Sequence, residues 1–232
     1  MSYQELSGNI FNSKTDALVN TVNCVGVMGK GIALEFRRRY PKMFKEYQRF
    51  CKRGELKPGQ ILPYRKETPW ILNFAIKNHW RNPSKIEWIE ICLEKFVKNY
   101  HRMNIKSAAF PWMGAMNGGL PLDEIKRITR YYLSDLSDIL IEIYDFDPNV
   151  SDPLFNKLKL LADNMQSLDI KKLTNTSGIQ LRYMENIISM IQDRSVMSLS
   201  QLIESKVIGK NNIEKLYAFL IDKRGERIYE PL

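Results

Sequence analysis

A segment rich in glycine and asparagine joins a strand-like run to a helix-like run near the start of the chain. After the apolar Ala17-Leu18-Val19, it reads Asn20-Thr21-Val22-Asn23-Cys24-Val25-Gly26-Val27-Met28-Gly29-Lys30-Gly31. Glycines allow close approach of a ligand, and a helix start offers free N–H groups to an anion. The segment therefore favours a phosphate cradle. Its spacing fits neither Walker A nor Gly-x-Gly-x-x-Gly, and an ordinary strand–helix loop is the alternative.

A second segment of the same kind lies at residues 110–120. It reads Phe110-Pro111-Trp112-Met113-Gly114-Ala115-Met116-Asn117-Gly118-Gly119-Leu120 and follows the strand-like residues 107–110. Between the two segments, a third apolar run ends in Lys77. Because ligands bind beyond the carboxyl ends of parallel strands, we expect both segments and Lys77 to border one crevice. A surface lysine that caps a strand is the alternative for Lys77.

Strand-like and helix-like segments alternate up to residue 147, where Asp147-Pro148-Asn149 interrupts the pattern. Strands separated by helices predict a sheet covered on both faces, a three-layer α/β/α domain over residues 1–147. The remaining residues, 148–232, predict a small, mainly helical module. The predicted strands are 3–7, 16–20, 61–64, 70–76, 106–110 and 139–144, and the predicted helices are 30–39, 41–53, 85–103, 122–134, 151–167, 178–193, 198–206 and 211–224.

Composition narrows the class of protein further. The formal net charge is +9, and the densest basic stretch, residues 37–57, favours a polyanionic partner over a merely solvated helix face. No apolar run is long enough to span a membrane, and the first residues do not resemble a secretion signal. The 3 cysteines and 2 histidines form no zinc pattern. We therefore expect a cytoplasmic protein that does not bind a membrane or a metal.

Three blocks of sequence resemble the macrodomain family. They are residues 20–33, the block Asn73-Phe74-Ala75-Ile76-Lys77-Asn78-His79-Trp80-Arg81, and residues 114–120. More narrowly, they are similar to the DarG branch, antitoxins that remove ADP-ribose from DNA, and to the terminal ADP-ribose protein glycohydrolases. The resemblance covers residues 3–147. It implies a mixed central sheet, ADP-ribose as ligand without a cofactor, ADP-ribosylated DNA (thymidine-linked) as substrate, and a DarT-type toxin as partner of the helical module.

The resemblance also implies a role for each matching residue. Lys77 would be catalytic, through covalent attack on the ribose or, alternatively, as an electrostatic stabiliser. Asn9 and Ile10 would lie at the adenine, and Asn20 and Asn23 at the ribose. The two diphosphate loops would comprise Gly29, Lys30, Gly31 and Ile32, and Gly114, Ala115, Met116, Asn117, Gly118, Gly119 and Leu120. Nucleic acid would contact His79, Trp80 and Arg81, with structural packing as the alternative for Trp80. From the basic stretch, and not from the resemblance, we add Arg37 and Arg38 to the predicted nucleic-acid contacts.

Two departures from the family pattern bear on the reaction. Met116 stands where glycine is usual, and Gly118 stands where the protein-acting relatives carry an aspartate that works with the lysine. The second departure favours lysine-only chemistry of the DarG kind. The sequence therefore predicts an ADP-ribosyl glycohydrolase that acts on DNA. The alternatives are a non-catalytic ADP-ribose reader, a protein-directed hydrolase, and a protein whose main role lies in its helical module.

Overall fold

The computed structural model of the protein describes residues 2–164 and 167–222. The chain divides into two compact units, and the division falls between Phe146 and Asp147. The first unit contains the sheet, and the second is helical. In the part of the chain that is described, no helix is both long and apolar enough to cross a bilayer.

The first unit is built on a six-stranded mixed sheet. Its strands are β1 (Tyr3–Gly8), β2 (Ala17–Asn23), β3 (Ile61–Tyr64), β4 (Trp70–Lys77), β5 (Ser107–Pro111) and β6 (Leu140–Phe146). Their order is β1-β6-β5-β2-β4-β3, and β3 alone is antiparallel to its neighbour. Because β2 lies between β5 and β4, the carboxyl ends of these three strands are adjacent. Strands β2 and β5 lead into the two glycine segments, and β4 ends in Lys77.

Helices cover both faces of this sheet. They are α1 (Gly31–Arg39), α2 (Pro41–Lys52), α3 (Ile86–Asn99) and α4 (Leu122–Leu133). Successive side chains of a strand point to opposite faces. Accordingly, Leu18 packs into a core with α1 and α2, whereas Val19 packs into a second core with α3 and α4. The predicted three-layer α/β/α architecture with a mixed sheet is confirmed.

In the first unit, two element ends differ from their predictions by three residues or more. Strand β2 runs on to Asn23, beyond the predicted end at residue 20, because its ladder with β4 continues as far as Lys77. The helix predicted over 85–103 ends at Asn99. There the chain turns through Asn104, whose φ is 55°, and the Ile105 amide bonds back to the Tyr100 carbonyl.

The second unit consists of α5 (Pro153–Asp163), α6 (Ser167–Ser177), α7 (Leu181–Gln192), α8 (Leu199–Glu204) and α9 (Lys210–Ile221). Its apolar faces form a separate core that includes Leu158, Ile187 and Leu216. The prediction of one helix over 151–167 is wrong at its end, because α5 stops at Asp163 and α6 was not expected. The end of the last predicted helix, residues 223–224, lies outside the described residues.

Candidate active site

The site is built at the carboxyl ends of β5, β2 and β4. The first loop, residues 24–30, follows β2, and the second loop, residues 112–121, follows β5. Lys77 is the last residue of β4 and lies opposite Asn23 in the ladder with β2. The sheet order thus brings the two loops and Lys77 to one edge, as the sequence predicts.

Asn23 shapes the first loop from within. Its Oδ1 accepts hydrogen bonds from the amides of Val25 (3.0 Å) and Val27 (3.3 Å), and its Nδ2 donates to the Val27 carbonyl (2.5 Å). The hydroxyl of Tyr47, on α2, donates to the Asn23 carbonyl at 2.7 Å and also reaches Oδ1 at 3.1 Å. Asn23 is 7% exposed. Its observed bonds therefore hold the loop backbone, whereas its predicted contact with ribose stays a prediction.

The first loop leads into the amino end of α1. Gly29, Lys30 and Gly31 are exposed, and Lys30 precedes the helix without capping it through its side chain. The amide groups of the first turn, including that of Ile32, are therefore available to an anion at the positive end of the helix dipole. Gly31 has a φ of 55°, and a Cβ there would overlap Nδ2 of Asn117 in the second loop. The two loops thus approach each other at Gly31 and Asn117.

The backbone of the second loop favours glycine at Gly114, Gly118 and Gly119. Gly114 has a φ of 81°, which favours glycine. A Cβ on Gly118 would overlap the carbonyl oxygen of Gly114, so this backbone leaves no room for a side chain at position 118. The loop is closed by a bond from the Leu120 amide to the Gly114 carbonyl (3.1 Å) and fastened by one from the Ser84 amide to the Gly118 carbonyl (2.9 Å).

The residues around these glycines form the outer part of the second loop. Ala115 is half-buried, Gly119 has a φ of 75°, and Met116 is 78% exposed. The Met116 side chain is therefore largely in contact with solvent. The backbone turn at this position is carried instead by the flanking glycines.

Lys77 lies between the loops and is partly buried. Its Nζ donates a hydrogen bond to the Asn117 carbonyl at 2.5 Å. Burial lowers the pKa of the Lys77 ammonium below its usual value, because desolvation disfavours the charged form. A larger neutral fraction makes the amine a better nucleophile.

Three residues that were predicted to contact the ligand bond to or pack against other residues of the fold. Asn20 is 0% exposed, and its Nδ2 donates to Oδ1 of Asn73 at 2.8 Å, so the structure gives it a supporting role between β2 and β4. Asn9 caps the short 3₁₀ turn at Ile10–Asn12 through a 3.1 Å bond from the Phe11 amide. Ile10 packs into the core beneath α1 and α2. The observed contacts of these side chains are with other parts of the fold, and their predicted ligand contacts stay predictions.

Nucleic-acid contact by Arg38 is not supported by its position. The Arg38 side chain is 6% exposed and pairs with Glu35 at 3.1 Å, one helical turn away. The guanidinium of Arg37 lies 5.9 Å from the centre of the Phe44 ring. Arg37 therefore contacts α2, whereas Arg38 is engaged within α1.

The residues that follow Lys77 form an exposed stack. The ring of His79 lies 5.5 Å from that of Trp80, and the Arg81 guanidinium lies 4.7 Å from the Trp80 ring centre. Trp80 is 46% exposed, so its indole ring is not buried in the core. Such a stack can accept a nucleobase, which agrees with the prediction for these residues without testing it.

Some supporting residues were missed by the sequence analysis. Asn73 sits inside an apolar run that reads as plain strand, and Tyr47 and Ser84 carry no local signal of their function. Among the described residues, no cluster of three or more His, Cys, Asp or Glu side chains is placed to hold a metal. Burial raises the pKa of the Cys24 thiol to about 12, so this cysteine of the first loop is a poor nucleophile at neutral pH.

A mixed sheet between helices, with two glycine loops at the ends of its parallel strands, is the arrangement of the class called the macrodomain. The model of the family described as Macro domain matches residues 19–129. The solved macrodomain of Thermus aquaticus DarG is 38% identical, with a TM-score of 0.59 over 62% of this chain and 97% of that chain. The chain belongs to the macrodomain family.

Several similar relatives are DarG proteins or carry the name DNA ADP-ribosyl glycohydrolase. A Mycobacterium tuberculosis protein named DNA ADP-ribosyl glycohydrolase is 44% identical over 142 residues, which are 60% of this chain and 40% of that protein. Thermosipho africanus DarTG, solved in complex with ADP-ribose, is 36% identical with a TM-score of 0.56, over 59% of this chain and 39% of that one. The chain thus spans about 40% of the length of the curated relatives that it matches.

Proposed function

We propose that the protein is an ADP-ribosyl glycohydrolase that removes ADP-ribose from DNA, with the modification on thymidine. The observation that carries the proposal is the position of Lys77, whose partly buried amine contacts the second loop at the end of β4. The names of the DarG relatives support the reaction and the DNA substrate. A DNA substrate agrees with the cytoplasmic location expected from the sequence.

The proposed reaction divides into binding and bond cleavage. The amides of the first loop and α1, and those of the second loop, would hold the diphosphate and fix the ribose near Lys77. The neutral amine attacks C1″ of the ribose as the bond from C1″ to the base breaks, and the base leaves with the proton that the amine loses. The glycosylamine formed on Lys77 then opens to a Schiff base. Water then releases ADP-ribose and restores the amine. No step needs a metal or a cofactor, so activity is expected to persist in EDTA.

The conformation of the second loop favours DNA over protein as the substrate. The resemblance places a catalytic aspartate of the protein-acting relatives at position 118, where this backbone admits only glycine. The proposed reaction therefore uses Lys77 without an aspartate partner at position 118. The exposed stack of His79, Trp80 and Arg81 would then hold the modified base or its neighbour.

The test compares Lys77→Ala and Lys77→Arg with the unchanged protein on ADP-ribosylated thymidine DNA and ADP-ribosylated protein. We expect the unchanged protein to release ADP-ribose from DNA and both variants to lose this activity. Alanine removes the amine, and arginine keeps the charge but is not a nucleophile. Reduction with borohydride during turnover should trap a covalent adduct on Lys77. Lys14→Ala, an exposed lysine before β2, is the matched control.

Each outcome of this test bears on a separate statement. Absence of release from either substrate would leave an ADP-ribose reader. Full activity of Lys77→Arg would reduce Lys77 to an electrostatic stabiliser. Release from protein alone would overturn the choice of DNA.

We further propose that the helical unit binds a DarT-type toxin and that the whole protein acts as its antitoxin. The joined name of Thermosipho africanus DarTG supports this pairing. Co-purification of the full chain with such a toxin, compared with a chain that ends at Phe146, tests the proposal. Equal recovery of toxin by both would assign binding to the macrodomain.

A further inference from the structure

Helix α2 carries a row of cations on its exposed side. Lys42, Lys45, Arg49 and Lys52 are spaced by three, four and three residues, so they share one face of the helix. All are exposed, and no ion pair is recorded for them among residues 2–164 and 167–222. We call these four residues the basic row.

The basic row is not the usual mixed surface of a solvated helix. The acidic residue of α2, Glu46, forms an ion pair with Lys66, whose Nζ lies 2.6 Å from the Glu46 carboxylate. By contrast, the exposed side of α3 mixes signs, as in the pair of Lys98 with Glu94. An unneutralised row of one sign raises the local potential and attracts a polyanion.

The row is physically tied to the candidate active site. Tyr47, on the buried side of α2, holds Asn23 through its hydroxyl, and Gln48 donates to the Gly26 carbonyl at 3.3 Å. Gln48 lies beside Arg49 and Lys52 on the helix surface. The face that bears the basic row therefore adjoins the face that holds the first loop.

The length of the row matches a short stretch of nucleic-acid backbone. Ten residues of helix separate Lys42 from Lys52, a rise of about 15 Å at ~1.5 Å per residue. Phosphates along one strand of DNA are spaced by ~3.4 Å along the axis of the double helix, and by more when the strand is extended. A row of this length spans about two to four phosphates.

We infer that the basic row of α2 binds the phosphate backbone of single-stranded DNA beside the modified nucleotide. This inference rests on the proposed function and specifies its substrate: a strand, and not an isolated nucleotide. Single-stranded DNA is favoured because a base-linked ADP-ribose must leave the base stack to reach Lys77.

The test uses two matched variants of the full chain. The first changes Lys45, Arg49 and Lys52 to Gln. The control changes Lys14, Arg102 and Lys106 to Gln, which removes the same number and kinds of charge from exposed positions elsewhere on the first unit. Glutamine is a good helix former, so α2 is expected to persist. Circular dichroism verifies the fold of both.

The first measurement is binding of unmodified single-stranded DNA at several salt concentrations. We expect affinity to fall on the order of tenfold or more in the row variant, and the slope of log K against log salt to decrease by about 2, since each phosphate contact contributes ~0.7. In the control variant, the affinity and the slope should each change by only a small fraction of the change in the row variant. Equal losses in both variants would overturn the inference, as would an unchanged slope in the row variant.

The second measurement separates this inference from the proposed reaction. ADP-ribosylated thymidine is offered either as a mononucleotide or within an oligonucleotide. We expect the row variant to raise KM about tenfold for the oligonucleotide alone and to leave kcat unchanged. Failure of the unchanged protein to hydrolyse either substrate would defeat the proposed function, whereas the binding measurement would still decide the role of the row.

Discussion

Gly118 is the residue at which the second loop tolerates least change. Its hypothetical Cβ would overlap the backbone oxygen of Gly114, and neither group can move without reshaping the loop. We predict that Gly118→Ala lowers the affinity for ADP-ribose by tenfold or more, since overpacking costs ~1–3 kcal/mol. Isothermal titration with ADP-ribose measures the effect.

Gly209→Ala provides the control, because a Cβ there has no neighbour within 4 Å. A Gly118→Ala protein that binds ADP-ribose as well as the unchanged chain would contradict the proposed use of this loop.

The pKa of Lys77 gives a second prediction at the residue scale. Burial lowers this pKa, so the neutral amine becomes abundant at a lower pH than for a free lysine, whose pKa is ~10.4. If the amine is the nucleophile, kcat should rise with pH and level off with a midpoint below that value. Any residual activity of Lys77→Arg should lack this rise. A pH-independent kcat in the unchanged protein would refute attack by the neutral amine.

Residue type and spacing could identify Lys77 and the glycine loops from the sequence, because their chemistry is local to a strand end. They could not reveal which asparagines face a ligand. Asn20 and Asn23 look alike in the sequence, yet Asn20 is sealed against Asn73 and Asn23 binds its own loop. That difference arises from contacts across the sheet and with α2, which a single segment does not encode.

At the scale of elements, the pairing of β2 with β4 determines where Lys77 lies. Asn20 and Asn73 are opposite each other in this ladder, and Asn73 also donates to the Leu62 carbonyl of β3 at 3.1 Å. Asn73 therefore links three strands through one buried amide. The apolar pattern predicted the strands correctly, but it could not predict a polar link within them.

We predict that Asn73→Ala destabilises the first unit by about 1–3 kcal/mol, because it leaves the Asn20 amide and the Leu62 carbonyl without their buried partners. Asn99→Ala removes a side-chain amide that bonds to the Lys95 carbonyl at the end of α3, where water can replace it, and should cost much less. Urea unfolding measures both. Equal costs would show that the buried amide contributes no more than an exposed one.

At the scale of the whole molecule, the two units have separate cores. Strands and helices of residues 2–146 supply two clusters of buried side chains, and α5 to α9 supply a third. The alternation of strands and helices predicted the first unit well because its central strands, such as β2 and β4, carry buried apolar runs. The second unit was predicted less accurately, since α5 ends before the predicted end at residue 167 and the mostly polar sequence of α6, SLDIKKLTNTS, was not predicted to be a helix.

The separate cores predict separate unfolding. All 4 tryptophans (Trp70, Trp80, Trp88 and Trp112) lie in the first unit, so their fluorescence reports on it alone. Leu216 is fully buried in the second core, and Leu216→Ala should cost that unit ~2–5 kcal/mol. We expect the helical signal in circular dichroism to lose part of its amplitude at lower urea, while the fluorescence midpoint and ADP-ribose binding stay unchanged. Leu160→Ala, at a position that is 64% exposed, is the control and should leave both signals in place. A fluorescence midpoint that moves together with the helical signal would mean that the two units unfold as one.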